Sequence, residues 1–331
     1  MIVILLAWLV AEPISATSCQ SIGLKEQRMA EPVCVIVTVW NQVDDTLACL
    51  ETIINQDYQP LSILVVNNGS TDNTVKRVSE TYPQVEILDL PENLGPTRGY
   101  NKGFRRALER DFNFVFLLNN DTLLAPNCIT ELIKEAEQSE NIGLTMPKIY
   151  YASEPNRIWS VGGWENKWNY EVERPGEKQI DEGQWEEAVD IDDAPFCAVL
   201  LRRTLFEAVG LPDEDFFLYY EDRDFSRRVQ EAGFRLRLAP KATMWHKVSI
   251  SSGGSGSPAE RYWMARSGVQ FYRKNVGMRS RWFVVVPWRA ASAVRTTFRL
   301  LRDGRFDSIR AYWLGLWHGI TKAGPEKRPK F

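Results

Sequence analysis

One segment of the chain, residues 114–122, narrows the choice of folds more than any other; it reads Phe-Val-Phe-Leu-Leu-Asn-Asn-Asp-Thr. Its five consecutive apolar residues predict a strand that is buried on both faces of a sheet. Two amides and the carboxylate of Asp121 follow this strand directly. Because ligands of open α/β sheets bind at the carboxyl ends of the strands, the segment predicts either a ligand site or a polar turn after a core strand.

The first 150 residues alternate between strand and helix patterns. Segments rich in apolar and β-branched residues occur at residues 33–39, 61–66, 85–90 and 114–118. The segments between them have helical periodicity, and Ser70 or Thr71 is positioned to cap the second helix. Strands that alternate with helices predict an α/β fold, with a mostly parallel central sheet connected by right-handed crossovers and flanked by helices.

The second half of the chain has a different character. From residue 159 to residue 187 tryptophan, glycine and glutamate prevail without periodicity, which predicts short strands and loops. Closing strands are expected at residues 235–238 and 242–245, and the last 70 residues are helical, basic and rich in tryptophan. We therefore predict an N-terminal extension over residues 1–30, a sheet-containing domain over residues 31–255 and a helical extension over residues 256–331.

The N-terminal apolar segment, residues 2–11, is shorter than the ~20 residues that span a bilayer. It also lacks the positive residues that precede the apolar part of a signal peptide. Because the first predicted strand begins only at Val33, we expect residues 1–28 to be dispensable, with Met29 as an alternative start.

Cysteine and charge distribution restrict the class of protein. The five cysteines form no Cys-x-x-Cys pair, and the chain has only two histidines. Both observations argue against a zinc site, and the cysteine spacing also argues against a disulfide framework and favours a reducing compartment. Residues 260–331 hold 16 Lys and Arg against 4 Asp and Glu, although the whole chain carries a net charge of −3. An acidic body with a basic tail predicts an anionic surface as the partner of the tail and argues against nucleic-acid binding.

Polar residues follow three of the predicted strands: Trp40 and Asn41, the pair at 67–68, and the triplet at 119–121. The topology of a parallel sheet brings these strand ends to one rim, where a nucleotide can bind. A Gly-x-Gly-x-x-Gly fingerprint is absent after the first strand, and the chain has no Walker phosphate loop, so NAD enzymes and P-loop ATPases are disfavoured. Each cluster also has a purely structural interpretation, an Asx turn or a helix cap.

Further motifs occur at fixed places along the chain. They are residues 35–41, 65–72, 93–95 with 101–103, 117–122, 209–225, and 240–242 with 245–247. In their order and spacing these stretches resemble the inverting glycosyltransferases of family 2, which have the GT-A fold. The resemblance covers about residues 33–250, and the nearest subgroup is the rhamnosyltransferase-like enzymes of surface-polysaccharide assembly.

The resemblance implies a role for individual positions. Those that match the nucleotide-sugar site are Thr38, Trp40, Asn41, Asn67, Asn68, Asn101 and Asn120. Those that match the ligands of a divalent cation, Mg²⁺ or Mn²⁺, are Asn119, Asp121 and His246. Asp222 matches the catalytic base, and Glu221 beside it would orient the acceptor. The chain departs from the family pattern where Asn67 and Asn119 replace aspartates and where Cys197 replaces a glycine.

The chemistry of inverting transfer is consistent with these assignments. A carboxylate must take the proton of the attacking hydroxyl, and a hard cation can neutralise the departing nucleoside diphosphate. The resemblance thus implies a metal-dependent enzyme that moves a sugar, with rhamnose as one option, from a nucleoside diphosphate to a glycan or lipid-linked acceptor. Two alternatives stay open: a nucleotidyltransferase, and a catalytically silent glycan-binding or scaffold subunit of a polysaccharide assembly complex.

The basic tail has its own prediction. Arginines at 295, 299, 302 and 305 recur at helical spacing, and Trp313 and Trp317 are four residues apart. This pattern is typical of helices that lie in the interface of an anionic membrane, and a helical cap with a solvated basic face is the alternative. If the helices lie in a membrane interface, the chain is predicted to be a cytoplasmic enzyme of cell-envelope synthesis that is peripheral on the inner face of the cell membrane.

Overall fold

The computed structural model describes residues 31–248 and 256–322. The predicted extension over residues 1–30 therefore lies outside the described residues. The predicted boundary at residue 255 falls at the edge of the segment 249–255, which also lies outside them.

The strands are β1 (Val33–Val39), β2 (Leu61–Asn68), β3 (Glu86–Leu90), β4 (Phe114–Asn119), β5 (Thr122–Leu124), β6 (Ile142–Tyr151), β7 (Glu154–Ser160), β8 (Trp164–Glu165), β9 (Val172–Glu173), β10 (Val189–Ile191), β11 (Ala198–Arg202) and β12 (Arg235–His246). The helices are α1 (Val43–Ile54), α2 (Thr74–Thr81), α3 (Pro96–Leu108), α4 (Cys128–Ala136), α5 (Arg203–Val209), α6 (Glu221–Glu231), α7 (Pro258–Asn275), α8 (Met278–Ser280), α9 (Val286–Arg302) and α10 (Phe306–Thr321). A π-helical turn over Arg281–Val285 joins α8 to α9.

The central sheet has the strand order β10-β12-β6-β11-β4-β1-β2-β3. The half that contains β4, β1, β2 and β3 is parallel, as the alternation of strands and helices predicts. The other half is mixed, because β11 runs antiparallel to both β4 and β6. The apolar residues of β1 and β4 are fully buried between helical layers, which explains their continuous hydrophobic runs.

Two local predictions were wrong, each for a physical reason. The two closing strands are one strand, β12, whose pairing with β6 shifts register between Ala239 and Thr243, so that Pro240 and Lys241 form an irregularity within it. Neither Ser70 nor Thr71 caps α2, because that helix begins only at Thr74.

The C-terminal helices pack against the segment that precedes α6. The ring of Trp263 on α7 stacks on Phe217 at 4.4 Å, and the Ser267 hydroxyl donates a hydrogen bond to the Leu218 carbonyl at 2.9 Å. Helix α10 then lies so close to α7 that a Cβ atom on Gly315 would stand 2.3 Å from the Tyr262 carbonyl oxygen. Among the helices that the structure describes, none combines the length and apolar character needed to cross a membrane.

Candidate active site

The carboxyl ends of β1, β2 and β4 meet at one rim of the sheet. Strand β1 pairs with both neighbours, so that Val39 lies opposite Asn67 and Thr38 lies opposite Asn119. The structure thereby brings together the three polar clusters that the sequence places at strand ends. Trp40 keeps 42% of its surface exposed at this rim, which leaves the ring available for stacking.

Asn41 links the loops that follow β1 and β2. Its backbone N–H donates to Ser70 Oγ at 2.7 Å, and its side-chain oxygen accepts from the Thr71 N–H at 2.8 Å. Ser70 and Thr71 therefore tie two rim loops together instead of capping a helix. On the other side of Asn41, the Asn120 amide donates to Thr46 Oγ1 at 3.0 Å.

The side chains of Asn67 and Asn68 bond to the protein itself. Asn67 Nδ2 donates to Asp89 Oδ1 at 2.7 Å. Asn68 Oδ1 accepts from the Leu94 N–H at 3.0 Å, and Asn68 Nδ2 donates to the Gly95 carbonyl at 3.0 Å. The Asn68 bonds fix the course of the loop over residues 93–95, and Asn67 Oδ1 accepts from the Ser70 N–H at 3.2 Å, so both amides shape the rim through its backbone.

The same loop meets the segment that leads to α6. Gly95 has φ +86°, and a Cβ atom there would stand 2.4 Å from the Phe217 ring, so both conformation and space require glycine. Asn101 is buried on α3 and donates to the Pro212 carbonyl at 2.9 Å and to Glu214 Oε1 at 3.0 Å. Its Oδ1 atom is buried without a hydrogen-bond partner in the part of the chain that the structure describes.

Asp121 and His246 form the candidate metal site. Antiparallel pairing of β5 with β12 places His246 opposite Thr122, and Asp121 Oδ1 lies 3.2 Å from His246 Nε2. That separation matches two adjacent ligands of an octahedral ion, which are about 3 Å apart when each is ~2.1 Å from the metal. Asn119, the third predicted ligand, accepts a hydrogen bond from the Tyr100 hydroxyl at 3.4 Å.

The residues at this site fit a cation that is shared with a ligand. Within residues 31–248 and 256–322, no group of three or more His, Cys, Asp and Glu side chains is arranged to hold a metal ion. Mg²⁺ and Mn²⁺ typically use one or two protein ligands and take the others from phosphate oxygens and water. Two neighbouring ligands beside a nucleotide rim suit that mode of binding.

Two carboxylates open helix α6. The residues before it, Tyr219 and Tyr220, both have left-handed backbone conformations, with φ +64° and +68°. Such strain is uncommon for bulky residues and is found most often at functional sites. Glu221 is buried, and its Oε2 atom has no hydrogen-bond partner among the described residues. Asp222 is partly buried and accepts a hydrogen bond from the Arg223 N–H at 2.8 Å.

Both of these carboxyl groups bind protons more tightly than usual. Burial, with the charge of Asp193 second, raises the pKa of Asp222 to about 6. Burial and the neighbouring Asp222 raise the pKa of Glu221 well above its ordinary range. Perturbed pKa values in a cleft are typical of acid–base sites.

Cys197 and Tyr100 are buried residues that lie near both acidic sites. After burial, the charges of Asp121 and Asp222 are the next largest causes that raise the pKa of the Cys197 thiol. Tyr100 behaves in the same way, because burial and then the charges of Glu221 and Asp222 raise the pKa of its hydroxyl, with a smaller effect of Asp121. The carboxylate of the candidate metal site and those at the start of α6 therefore lie near the same two buried residues.

Sequence reasoning missed Asp193 and Arg174. Asp193 is buried, its Oδ2 accepts from Arg174 at 2.7 Å, and its Oδ1 has no partner among the described residues. It also lines a cavity of about 370 Å³ together with Tyr170 and Arg223. Arg174 belongs to the segment without periodicity, and the signal available for Asp193 was the Asp192-Asp193 pair just after β10.

Comparison with known proteins agrees with this geometry. The family model described as glycosyl transferase family 2 matches residues 34–210. An N-acetylglucosaminyl-diphospho-decaprenol L-rhamnosyltransferase of Mycobacterium tuberculosis is 26% identical over 223 residues, which cover 59% of this chain and 69% of that enzyme. A dTDP-rhamnosyl transferase of Shigella flexneri is 22% identical over 259 residues, covering 75% of this chain and 82% of that enzyme.

A solved structure shows the same fold. The mannosyltransferase PcManGT from Pyrobaculum calidifontis, in complex with GDP-Man and Mn²⁺, superposes with a TM-score of 0.55 at 18% identity and covers 89% of both chains. The GT-A fold expected from the sequence is thus confirmed, and the nucleotidyltransferase alternative loses its support. The chain belongs to glycosyl transferase family 2, and it is a glycosyltransferase.

Proposed function

We propose that this chain moves a sugar, with rhamnose as the first choice, from a nucleoside diphosphate to a hydroxyl group of a lipid-linked glycan, with inversion at the anomeric carbon. The carrying observation is that Asp121 and Asp222 both lie near the buried Cys197, whose carbonyl accepts a hydrogen bond from the Asn119 N–H at 3.0 Å. The relatives from Mycobacterium and Shigella are named for rhamnosyl transfer, which supports rhamnose and surface-polysaccharide synthesis.

Asp222 is the general base of the proposed reaction. With a pKa of about 6 it is ionised at neutral pH, yet basic enough to accept the proton of the attacking hydroxyl. Glu221 holds the acceptor by hydrogen bonding through its unpaired oxygen. Asp193 and Arg174, which are hydrogen-bonded to each other, adjust the pKa of Asp222: the charge of Asp193 raises it and the charge of Arg174 lowers it.

Asp121 and His246 are the proposed ligands of Mg²⁺ or Mn²⁺, with Asn119 as a further ligand from β4. When bound, the cation neutralises the charge that develops on the nucleoside diphosphate leaving group. The presence of Mn²⁺ and GDP-Man in the structure of PcManGT supports this assignment.

The nucleotide occupies the rim in this proposal. Trp40 stacks on the base, while Thr38, Asn41 and Asn120 line the ribose and diphosphate side. Asn67, Asn68 and Asn101 act through the backbone that they hold, because most of their polar atoms already bond to the protein.

The C-terminal helices attach the enzyme to the inner face of the cell membrane in this proposal. Large apolar side chains are exposed on α9 and α10; they include Phe298, Leu301, Phe306, Trp313, Trp317 and Ile320. Arg302 and Arg310 are exposed on the same helices. Apolar residues, tryptophans and arginines on one surface suit the headgroup region of an anionic bilayer.

The decisive experiment combines product analysis with a matched pair of variants. Purified chain, Mn²⁺, dTDP-rhamnose and an N-acetylglucosaminyl-diphospho-polyprenol acceptor should yield a disaccharide lipid whose new linkage, by NMR, is inverted. Asp222→Asn should lower kcat by about 10³-fold or more, the loss expected for a missing base. Asp111→Asn, an exposed aspartate at the opposite end of β4, should leave kcat unchanged. Retained anomeric configuration, or equal rates for both variants, would contradict the proposal.

A further inference from the structure

Helices α7, α9 and α10 enclose a second cavity, of about 450 Å³, that the proposed chemistry does not use. Four of its lining residues are arginines, namely Arg261, Arg289, Arg295 and Arg299, and we name it the arginine cleft. Hydroxyl groups of Ser292 and Thr296 from α9 and the rings of Tyr220 and Tyr312 complete the lining. Its donors are of the kind that bind phosphate oxygens.

The positive charge of the arginine cleft is only partly balanced. Arg289 pairs with Glu171 at 3.0 Å, and Arg261 lies 3.3 Å from Glu260. Within the described ranges, the guanidinium groups of Arg295 and Arg299 make no hydrogen bond or ion pair. Arg295 only overlies the Trp288 ring at 5.7 Å. Guanidinium groups that line one cavity without anionic partners favour the binding of an anion.

The cleft lies beside the acceptor side of the active site. Tyr220, part of its lining, directly precedes Glu221 and Asp222 in the chain. Glu171 lines the arginine cleft, while its neighbour Tyr170 lines the cavity that contains Asp193. The short segment over residues 170–171 is thus shared by the two cavities.

The opposite side of the cleft is apolar. Arg295 and Arg299, which are themselves exposed, also line a surface depression with the exposed side chains of Phe298, Leu301 and Arg302. The order from the surface toward the candidate active site is therefore exposed apolar side chains, arginines, and Tyr220, the residue that precedes Glu221 and Asp222. That order corresponds to an amphiphile in which a phosphate group joins a hydrocarbon chain to a sugar.

We propose that the arginine cleft binds the diphosphate of a polyprenyl diphosphate-linked acceptor and so presents its sugar to Asp222. This inference rests on the proposed function, because it concerns the acceptor of that reaction. The diphosphate takes bidentate hydrogen bonds from Arg295 and Arg299, the hydrocarbon lies along Phe298 and Leu301, and no covalent step occurs in the cleft.

Direct binding tests the cleft without turnover. Farnesyl diphosphate and farnesol are titrated into the full chain in neutral detergent micelles with EDTA, so that no divalent cation is bound. The wild-type chain should bind farnesyl diphosphate more tightly than farnesol. The double variant Arg295→Gln, Arg299→Gln should weaken that binding by about tenfold or more, the effect of losing a charge-assisted hydrogen bond.

A matched double variant, Arg77→Gln with Arg279→Gln, removes the same charge from exposed positions outside the cleft and should bind like the wild type. Equal binding by the cleft variant and the wild type, or an equal loss in both double variants, would overturn the proposal. It would also be overturned if the cleft variant lost affinity for phosphatidylglycerol vesicles while keeping its affinity for farnesyl diphosphate, since the cleft would then serve a membrane headgroup.

A transfer assay separates this inference from the proposed function. Normal KM for the lipid diphosphate acceptor in the cleft variant would overturn the cleft and leave the function in place. An increased KM with unchanged donor hydrolysis supports the cleft. Absence of transfer by the wild-type chain, with arginine-dependent binding intact, would overturn the function while supporting the cleft as a diphosphate site.

Discussion

At the scale of single residues, the raised pKa values of the carboxyl groups distinguish the candidate active site. Asp222 has a raised pKa because it is buried next to Asp193, with Arg174 and Arg223 opposing the shift. The strained backbone at Tyr219 and Tyr220 holds this carboxylate at the start of a helix, where its ionised form still gains from the helix dipole.

The first prediction concerns pH. Because the base must be ionised, kcat/KM at saturating Mn²⁺ should be flat near neutral pH and fall about tenfold per unit below a pH of about 6. Asp193→Asn removes the like charge that raises the pKa of Asp222, so its acidic limb should move to lower pH. Asp222 would be excluded as the titrating base by either of two results. The acidic limb of the wild-type kcat/KM profile could be centred near the ordinary pKa of an aspartate, or Asp193→Asn could leave the position of that limb unchanged.

A second prediction concerns the metal ligands. Treatment with EDTA should abolish transfer, and Mn²⁺ should restore it. His246→Ala should raise the Mn²⁺ concentration for half-maximal rate by at least about tenfold, because it removes one of the proposed protein ligands. His318→Ala serves as the control, since His318 Nδ1 is hydrogen-bonded to the Tyr262 hydroxyl at 2.7 Å in the helical extension. Identical Mn²⁺ dependence in the His246→Ala variant and the wild type would argue against this site.

At the scale of secondary structure elements, helix α7 connects the helical extension to the active site. It holds the segment before α6 through Trp263 and Ser267, and α10 in turn packs closely on α7 at Gly315. Tight packing of this kind transmits a change on α10 to the segment that precedes the candidate catalytic carboxylates of α6.

The third prediction follows from that packing. Gly315→Ala places a Cβ atom 2.3 Å from the Tyr262 carbonyl oxygen, so the two helices must separate. We expect a loss of about 1–3 kcal/mol in the free energy of unfolding, measured in urea, together with a lower kcat. Gly277→Ala has open space around its Cβ and should change neither quantity. Equal stability of both variants would show that α10 does not pack here.

At the scale of the whole molecule, apolar and basic groups share the exposed surface of α9 and α10. Exposed apolar side chains of this number need a partner, and an anionic bilayer matches both the tryptophans and the arginines. The acidic remainder of the chain would face away from such a surface.

A fourth prediction tests membrane attachment by flotation. The chain should float with phosphatidylglycerol vesicles and much less with phosphatidylcholine vesicles, and added salt should reduce binding because it screens the arginines. The variant Trp313→Ala, Trp317→Ala should float several-fold less, whereas Ile180→Ala, which removes an exposed apolar side chain from the sheet-containing domain, should float normally. Failure of the wild-type chain to float would refute membrane attachment.

The fifth prediction concerns the N-terminal residues. A chain that begins at Met29 retains every described strand and helix, since β1 starts at Val33. It should therefore keep the Tm and kcat of the full chain. A loss of either quantity would show that residues 1–28 contribute to the enzyme.

The amino-acid sequence by itself determined the parallel half of the sheet, because β1, β2 and β4 are buried on both faces and their apolar runs end abruptly in polar residues. It also determined the family, since short motifs at fixed spacing survive where overall identity is low. For the same reason, Asp121, His246 and Asp222 could be named as candidate site residues from the sequence.

Only the tertiary structure decided which side chains meet. The contact of Asp121 with His246 joins residues 125 positions apart through the pairing of β5 and β12. Arg174 lies in a stretch without periodicity and Asp193 in the loop between β10 and β11, so no local pattern marks them. The arginine cleft likewise exists only because α7 and α10 bring Arg261 and Tyr312 against one face of α9, and long-range packing of that kind leaves no short-range signal in the sequence.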